Sequence, residues 1–412
     1  MRPLIDEVPL RDRQLLSLLG AEERGASVQQ FEDNDWECLL KRAAEFGVSA
    51  FLYERLYTNT AVPRQVRDDL RSSYLTRVAA STALFHELGQ VLSLLRSSGV
   101  EVVALKGAHL AEAVYENSVL RPMADVDLLV RREHLRQAWE ALLAAGFVPE
   151  RHVPNDIENL AHHHLAPLSG NGIVIELHSR LTAWGIGTND TAGAWERARP
   201  AKIAGVEVLV LSPEDLLVHL SLHAAAHHGC AMGFLPLLDL IAVMRRHGSE
   251  LNPEDLAARA AAWGATKSLA LLLTLAGELL GASPPRTMLE CLAPGGVSRD
   301  LCALAIRQMF QTGTDHLETP ITVSRLLAAG GPAEFFSILR KRLAVTPDKL
   351  LWSYGVGSKA MIPLLYLIHP FVLLARQGGW FLRVLLRDTS AKEAHESALR
   401  HHNLVKELGT NH

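Results

Sequence analysis

The sequence predicts an α+β protein in which a strand-bearing core lies between helical regions. Apolar residues run in short blocks through the core, but they recur at three- and four-residue steps on either side of it, which is the spacing of a helix face. At 412 residues the chain is too long for a single domain. We therefore divide it into an N-terminal helical region (1–98), a core (99–211), a helical domain (212–340) and an apolar helical C-terminal region with a polar tail (341–412).

The first region is predicted to consist of helices. Trp36 and Leu39 belong to one apolar series at helical spacing, and a second series runs from Phe85 to Leu95. Gly99 follows the second series and is predicted to end that helix. These helices are expected to pack beside the core.

Strands are predicted only in the core. A helix at 132–145, closed by Gly146, separates the second strand from the third. Beyond the core the chain is predicted to be mainly helical again, because Ser212 followed by Pro213 has the character of a helix start. The predicted strands are residues 101–105, 125–130, 173–178 and a hairpin at 202–210 that turns at Ala204 and Gly205.

The pair Asp125-Val-Asp127 is the most informative motif. Side chains alternate along a strand, so both carboxylates lie on one face while Val126 and Leu128 point to the other, buried face. Two hard oxygen ligands held close together suit a divalent cation such as Mg²⁺. Glu176 is a lone acid in a later apolar run, where it is costly to bury unless it is paired or bound to metal. It is therefore the candidate third ligand.

A strand-to-helix junction precedes these acids. The apolar run 102–105 leads into Lys106 and Gly107, and a helical stretch at 108–115 follows. Backbone N–H groups, a helix dipole and a lysine cation at such a junction suit a phosphate chain. We therefore assign Lys106 and Gly107 to phosphate binding.

In chain order, Lys106-Gly107, Arg-Pro-Met-Ala-Asp-Val-Asp-Leu-Leu-Val (121–130) and Ile-Glu-Leu-His (175–178) resemble the DNA-polymerase-beta-type nucleotidyltransferase superfamily. The chain is more similar still to an uncharacterised bacterial nucleotidyltransferase family that is often described from biosynthetic gene clusters. The motif-bearing resemblance covers residues 95–245.

The resemblance implies a small mixed-sheet nucleotidyltransferase core with helices on one side of the sheet. Asp125 and Asp127 would hold Mg²⁺, two ions in all, with Glu176 as the third carboxylate, and Lys106-Gly107 would form the turn that binds the triphosphate. The implied activity is the transfer of an NMP from an NTP such as ATP to a hydroxyl or another acceptor, with release of pyrophosphate.

Two features depart from the superfamily pattern. Ala108 follows Gly107 where superfamily members usually carry serine or glycine, so the hydroxyl contact to phosphate is missing. The stretch from the turn to Asp125 is also longer than usual. Lys106 and Arg121 are the candidates for supplying the lost nucleotide contacts.

Two other functions stay open. The atypical turn is compatible with a catalytically degenerate protein that binds a nucleotide or a partner without turnover, and toxin-like relatives of the superfamily act on tRNA. A formal net charge of −4 disfavours a nucleic-acid partner. A small molecule, a sugar or a peptide is therefore the preferred acceptor.

Several of the 19 histidines are grouped. His219, His223 and His227 recur every four residues and share a helix face, for which a transition metal is one interpretation. A packing or substrate-contacting face is favoured, because no glutamate accompanies them as in His-Glu-x-x-His. His223 and Asp239 are the candidates for lining the cleft.

His178 follows Glu176 by two residues, so both side chains lie on the same strand face. We assign His178 to the nucleotide site, where it would act on a proton or a phosphate. The histidine run 162–164 is predicted to be a solvated loop. Contact of one of these histidines with the nucleotide or the acceptor is the alternative.

The second unusual stretch is 360–387. Residues 360–375 are apolar, which is shorter than the roughly 20 residues that span a bilayer, and His369-Pro370 is predicted to break the run. A buried hairpin is the favoured interpretation. A peripheral membrane or protein contact is the alternative, because arginines stand beside an apolar stripe in 380–387.

The composition favours a cytoplasmic protein. The four cysteines are scattered without a Cys-x-x-Cys pair, as expected of reduced thiols. The N-terminus lacks the apolar core of a signal peptide. A contact of 360–387 with lipid would add membrane association to this prediction.

Overall fold

The structure is a computed structural model, and it confirms the α+β class. In the parts of the chain that it describes, a mixed seven-stranded sheet is surrounded by helices. The described residues are 3–20, 28, 31–150, 163–182, 190–282, 284–311, 326, 329, 331–356, 358–385 and 389–409.

The sheet has the order β3-β4-β5-β2-β1-β7-β6. β1 runs parallel to β7 and β2 runs parallel to β5, whereas the other neighbours are antiparallel. The strands are β1 (Val102–Ala104), β2 (Val126–Val130), β3 (Val148–Pro149), β4 (Leu168–Gly170), β5 (Ile173–His178), β6 (Arg199–Ile203) and β7 (Val206–Val210).

Helices make up most of the remaining described chain. Short 3₁₀ turns lie at Leu4–Glu7, Ser118–Leu120, Arg132–His134 and Lys359–Met361. The α-helices are α1 (Leu10–Leu19), α2 (Asp33–Glu45), α3 (Ser49–Leu56), α4 (Arg64–Ser97), α5 (Lys106–His109), α6 (Leu135–Ala144), α7 (Thr191–Arg197), α8 (Pro213–Ser221), α9 (Leu235–His247), α10 (Pro253–Ala262), α11 (Thr266–Leu280), α12 (Arg286–Leu292), α13 (Arg299–Met309), α14 (Pro332–Leu343), α15 (Pro347–Tyr354), α16 (Ile362–Leu385) and α17 (Thr389–Glu407).

Both faces of the sheet are buried, in contrast to the one-sided sheet that the resemblance implies. On one face, Val126 and Leu128 pack with α4 and α6. On the other face, Leu129 belongs to a larger core that joins the N-terminal helices to the helices after β7. Because successive strand residues point to opposite faces, all five residues of β2 are buried. The predicted regions 1–98 and 212–340 therefore share one apolar core.

The predicted strands and the helix starts near them are confirmed. The β6–β7 hairpin turns at Ala204 and Gly205, both with positive φ, as expected of a two-residue hairpin turn. Ser212 caps α8, since its Oγ accepts the N–H of Asp215 at 3.3 Å. Gly99 follows α4 with φ +74.

Two short segments are π-helices, Leu110–Val114 and Leu222–His227. In each, a backbone N–H donates to the carbonyl five residues back: Tyr115 to Leu110 at 2.9 Å, and His228 to His223 at 3.1 Å. Such segments are rare and frequently mark functional sites. Both of them border the candidate site described below.

The predicted break at Pro370 and the predicted hairpin are wrong. α16 is one helix from 362 to 385 that contains Pro370. Packing overrides the proline, because Leu365 is buried against Leu350 and Leu351 of α15 in a small separate core. The opposite side of α16 exposes an apolar stripe at Leu364, Leu367, Phe371 and Leu374. The side chains of 380–387 lie outside the described residues, so a contact through 360–387 stays a prediction.

One described helix, α4, is long and apolar enough to cross a membrane by length and composition alone. This is weak evidence, because core helices of soluble proteins pass the same test. The C-terminal half of α4 packs on the sheet through Leu88, Leu92 and Leu95.

Candidate active site

Two of the three predicted acids lie side by side on β2 and β5, and the third stands just before β2. Parallel pairing sets Asp127 directly opposite Glu176. Asp125 lies in the bend that leads into β2; it is exposed, and its charge interacts with those of Asp127 and Glu176. The two strands thus hold two carboxylates on a rigid support, and the bend brings the third near them.

Two basic side chains contact the central acid of this group. Lys106 Nζ donates to Asp127 Oδ1 at 2.8 Å. His178 Nε2 lies 2.7 Å from the same Asp127 oxygen and 3.5 Å from Glu176 Oε2. The imidazole therefore bridges two carboxylates, one on its own strand and one on the next.

The acids differ in their electrostatic surroundings. Burial alone would raise the pKa of Asp127, but Lys106 and His178 outweigh it and hold that pKa well below its usual value. For Asp125, burial and the charges of Asp127 and Glu176 raise the pKa. Burial would lower the pKa of His178, yet its bonds to Asp127 and Glu176 raise it. The group therefore carries negative charge that its bases do not fully balance.

These residues fit a divalent cation. Asp127, Glu176 and His178 offer ligand atoms that lie within 4.8 Å of one another. Carboxylate oxygens suit Mg²⁺, and one imidazole nitrogen is compatible with Mn²⁺ or a related ion. The raised pKa of Asp125 shows mutual repulsion that a bound cation would relieve.

A cavity of about 20 Å³, the space of about one water molecule, adjoins the acids. Thr182 Oγ1, His178 Nδ1 and His219 Nδ1 are buried without a hydrogen-bond partner among the described residues, and all three residues line this space. Buried polar atoms are normally hydrogen-bonded, so this space suits a water molecule or a polar group of a ligand. The other polar residues that line the cavity are Lys106, His163, His223 and His227.

The predicted phosphate turn has an unusual backbone. Lys106 adopts φ +40, a left-handed conformation that costs a non-glycine residue about 1–3 kcal/mol. Gly107 is buried, and a Cβ there would lie 2.6 Å from Cγ of Met123. The glycine is therefore needed for the close approach of Met123, which covers the turn.

The other two predicted residues, Arg121 and Asp239, form a buried ion pair. Arg121 Nε lies 2.8 and 3.0 Å from the two carboxylate oxygens, and Tyr115 donates its hydroxyl to Asp239 at 2.9 Å. Asp239 is absent from the described residues that line the cavity, in contrast to its predicted cleft-lining role. His223 does line it, as the sequence predicts.

The histidine run before β5 lies partly beside the acids. His162 is outside the described residues, whereas His163 lines the cavity. His164 Nδ1 lies 3.9 Å from Glu176 Oε2. Both described histidines therefore face the acid site rather than bulk solvent, and contact of one of them with the nucleotide or the acceptor stays a prediction.

A family model described as an uncharacterised nucleotidyltransferase matches residues 32–281, more than half of the chain. The chain belongs to this family. Curated proteins and solved structures gave no significant match. The predicted resemblance to a nucleotidyltransferase family is thereby confirmed, and the protein is an enzyme of that class.

The matched range of this nucleotidyltransferase is wider than the sequence motifs indicate. It begins just before α2 and ends at Gly281, which terminates α11 in a left-handed conformation. The family unit therefore includes the helices that cover the acid-bearing face, in addition to the sheet itself.

Sequence reasoning missed three side chains in and around the candidate site: Tyr115, Met123 and Thr182. Tyr115 completes the Asp239 pair, Met123 covers the turn and Thr182 lines the cavity. Met123 lies inside the motif-bearing run 121–130, two residues before Asp125, and this position could have indicated that it lies near the site. The other two carry no local pattern, because their partners are far away in the sequence.

Proposed function

We propose that the protein is a Mg²⁺-dependent nucleotidyltransferase that moves an NMP from an NTP to a hydroxyl-bearing acceptor and releases pyrophosphate. One observation carries this proposal: Asp127 and Glu176 stand opposite each other on parallel strands, and the charge of Asp125 interacts with both of them. Family membership supports the general reaction.

The chain's own residues have distinct roles in this proposal. Asp125, Asp127 and Glu176 hold the cation, which when bound would neutralise the triphosphate and favour in-line displacement at the α-phosphorus. When the NTP binds, Lys106 Nζ would donate to a phosphate oxygen instead of to Asp127, because it already lies at the acid cluster. Arg121 is a further candidate for the phosphate, but it would have to leave Asp239.

Proton movement in the proposed reaction falls to the β5 side chains. The acceptor oxygen forms a bond to the α-phosphorus, the bond to the β-phosphate oxygen breaks, and the acceptor proton must leave. Glu176 Oε2 would take that proton, and the N–H at His178 Nε2, 3.5 Å away, would hold the Glu176 carboxylate in position. The polar cavity beside His178 offers a place for the acceptor hydroxyl.

A nucleotide-binding protein without turnover is the second candidate. The observation that favours it is the covered turn: Met123 lies over Gly107, and Lys106 is engaged by Asp127. Such a protein would bind NTP but release no pyrophosphate.

The deciding experiment is incubation with each labelled NTP and Mg²⁺, with and without a cell extract, followed by detection of labelled acceptor and of pyrophosphate. Activity should disappear in Asp127→Asn and Glu176→Gln. Glu207→Gln is the matched control, because this acid lies on β7 of the same sheet with an exposed side chain. Full activity in both site variants would refute the assignment, and NTP binding without product in the wild type would favour the second candidate.

The proposed acceptor class and the proposed compartment rest on the composition of the chain. The net charge of −4 supports a small molecule, a sugar or a peptide over a tRNA end. Cys38, Cys230, Cys291 and Cys302 are all free thiols, which supports a reducing cytoplasmic setting.

A further inference from the structure

We infer that His223, His227 and His228 form a transition-metal site that takes Zn²⁺ or a similar cation and shares no ligand with the neighbouring acid cluster. Their ligand atoms all lie within 4.8 Å of one another. Each side chain is half-buried, so solvent reaches the cluster while the surrounding helices position it. This inference does not depend on the proposed reaction.

The π-helix creates this cluster. In a regular α-helix, residue i+5 lies about 140° around the axis from residue i, so His228 would face away from His223. Here the N–H of His228 donates to the carbonyl of His223, which stacks residues five apart. Their ring centroids lie 4.5 Å apart. His227, four residues after His223, remains on the same side.

The spacing suits a tetrahedral ion after small side-chain rotations. The ring of His227 lies 4.6 Å from that of His228 and 5.7 Å from that of His223. With Zn–N bonds of about 2.0–2.1 Å, the ligand nitrogens must come to about 3.3 Å from one another. The nitrogens already lie within 4.8 Å of one another.

The donor chemistry separates this cluster from the acid site. Three imidazoles favour a borderline cation over Mg²⁺, which prefers oxygen. The acid cluster offers two carboxylates instead and should keep the harder ion.

A fourth histidine, His401 on α17, packs beside this cluster. Gly229 adopts φ +53, and a Cβ there would lie 2.7 Å from Cε1 of His401. The ring of His401 therefore packs against the backbone next to His228. With His401 as the fourth ligand, the ion would fix α17 to the π-helix.

The test uses the full chain without a polyhistidine tag, stripped by a chelator and titrated with Zn²⁺ against a chromophoric indicator. We expect one tight equivalent, weakened at least ~10-fold in His223→Gln and in His228→Gln. His86→Gln is the matched control, since His86 is exposed on α4. His228→Cys should keep most of the affinity, because cysteine also binds zinc, and this separates ligation from damage to the fold.

A second arm removes the acid cluster. Asp127→Asn combined with Glu176→Gln should still bind one equivalent, and Co²⁺ in that variant should give the visible absorption of a four-coordinate site. Three results would each overturn the inference: no stoichiometric binding by the wild type, loss of binding in the acid double variant, or undiminished binding in His228→Gln.

Discussion

Two ion pairs of this nucleotidyltransferase have the same nitrogen–oxygen distance but lie in different surroundings. Lys106 and Arg121 each contact a buried aspartate at 2.8 Å, Asp127 in the first case and Asp239 in the second. Asp127 belongs to a group of three acids beside a polar cavity. Asp239 has Arg121 and the Tyr115 hydroxyl as its partners.

The pKa values of the two aspartates shift in opposite directions, because different numbers of bases oppose the effect of burial. Two bases hold the pKa of Asp127 well below its usual value despite burial. Burial outweighs Arg121 and raises the pKa of Asp239. A surplus of acids next to a cavity is typical of a cation site, whereas a pair of one acid and one base is typical of a structural contact.

The largest expected effect comes from the acids of the first pair. Asp127→Asn and Asp125→Asn should each lower nucleotidyl transfer by at least ~10³-fold, because a metal ligand supports several kcal/mol of transition-state charge. Labelled-product assays with Glu207→Gln as control measure this. Wild-type rates in either variant would remove that residue from the metal site.

The same two variants should differ in stability. The pKa of Asp127 is depressed, so its charge stabilises the fold at neutral pH, and this contribution is lost as the pH falls through the folded-state pKa. The pKa of Asp125 is raised, so its charge destabilises the fold at neutral pH. In metal-free buffer, Asp127→Asn should therefore melt lower and Asp125→Asn at an equal or higher temperature. Equal shifts in one direction would contradict the charge assignment.

The second pair should respond through stability alone. The pKa of Asp239 is raised like that of Asp125, but Asp239 also raises the pKa of its partner Arg121. Asp239→Asn would leave this guanidinium without its carboxylate and should lower the free energy of unfolding by about 3 kcal/mol. Denaturant titration measures this loss. The apparent NTP constant of the folded protein should not change. Replacement of both partners, Arg121→Met with Asp239→Leu, should recover most of the loss. A changed NTP constant in the recovered variant would return Arg121 to the nucleotide site.

Lys106→Ala is expected to raise the apparent NTP constant by about 10- to 100-fold, as loss of a charge-assisted phosphate contact of about 1.5–3 kcal/mol would do. Steady-state rates over a range of NTP concentrations measure it. Lys202→Ala, an exposed lysine on β6, is the control and should behave as wild type. An unchanged constant in Lys106→Ala would make Lys106 a structural partner of Asp127.

The smallest expected effect concerns the Tyr115 hydroxyl. Tyr115→Phe removes one hydrogen bond to Asp239 and should lower the free energy of unfolding by about 1 kcal/mol. Transfer activity should stay at the wild-type level, as measured under saturating NTP. A selective loss of activity would show that the pair of Arg121 and Asp239 is coupled to the reaction.

Local patterns predicted most of the fold. The alternation around Asp125 and the Ala204-Gly205 turn depend on neighbouring residues, and both predictions hold. β3 and β4 were not predicted, because they are two and three residues long and carry no alternation. Pro370 was misjudged since contacts of α16 with α15 override its local preference.

The candidate site was predictable only in part. Asp127, Glu176 and His178 share strand faces, and the period of two places them correctly. The pairing of Arg121 with Asp239 was not readable, because it joins side chains from distant parts of the sequence. The place of His228 beside His223 was not readable from the sequence, because the α-helical period does not apply where the π-helix replaces it.

The parallel pairing of β1 with β7 has a consequence for synthesis on the ribosome. β1 can pair with β2 early, but its other edge stays open until residues 206–210 emerge about a hundred residues later. Closing so long a loop is slow, and an exposed apolar strand edge invites association between nascent chains. The β6–β7 hairpin forms locally and can then dock as a unit. Fragments that end before residue 206 should therefore aggregate, even though all three acids are already present in them.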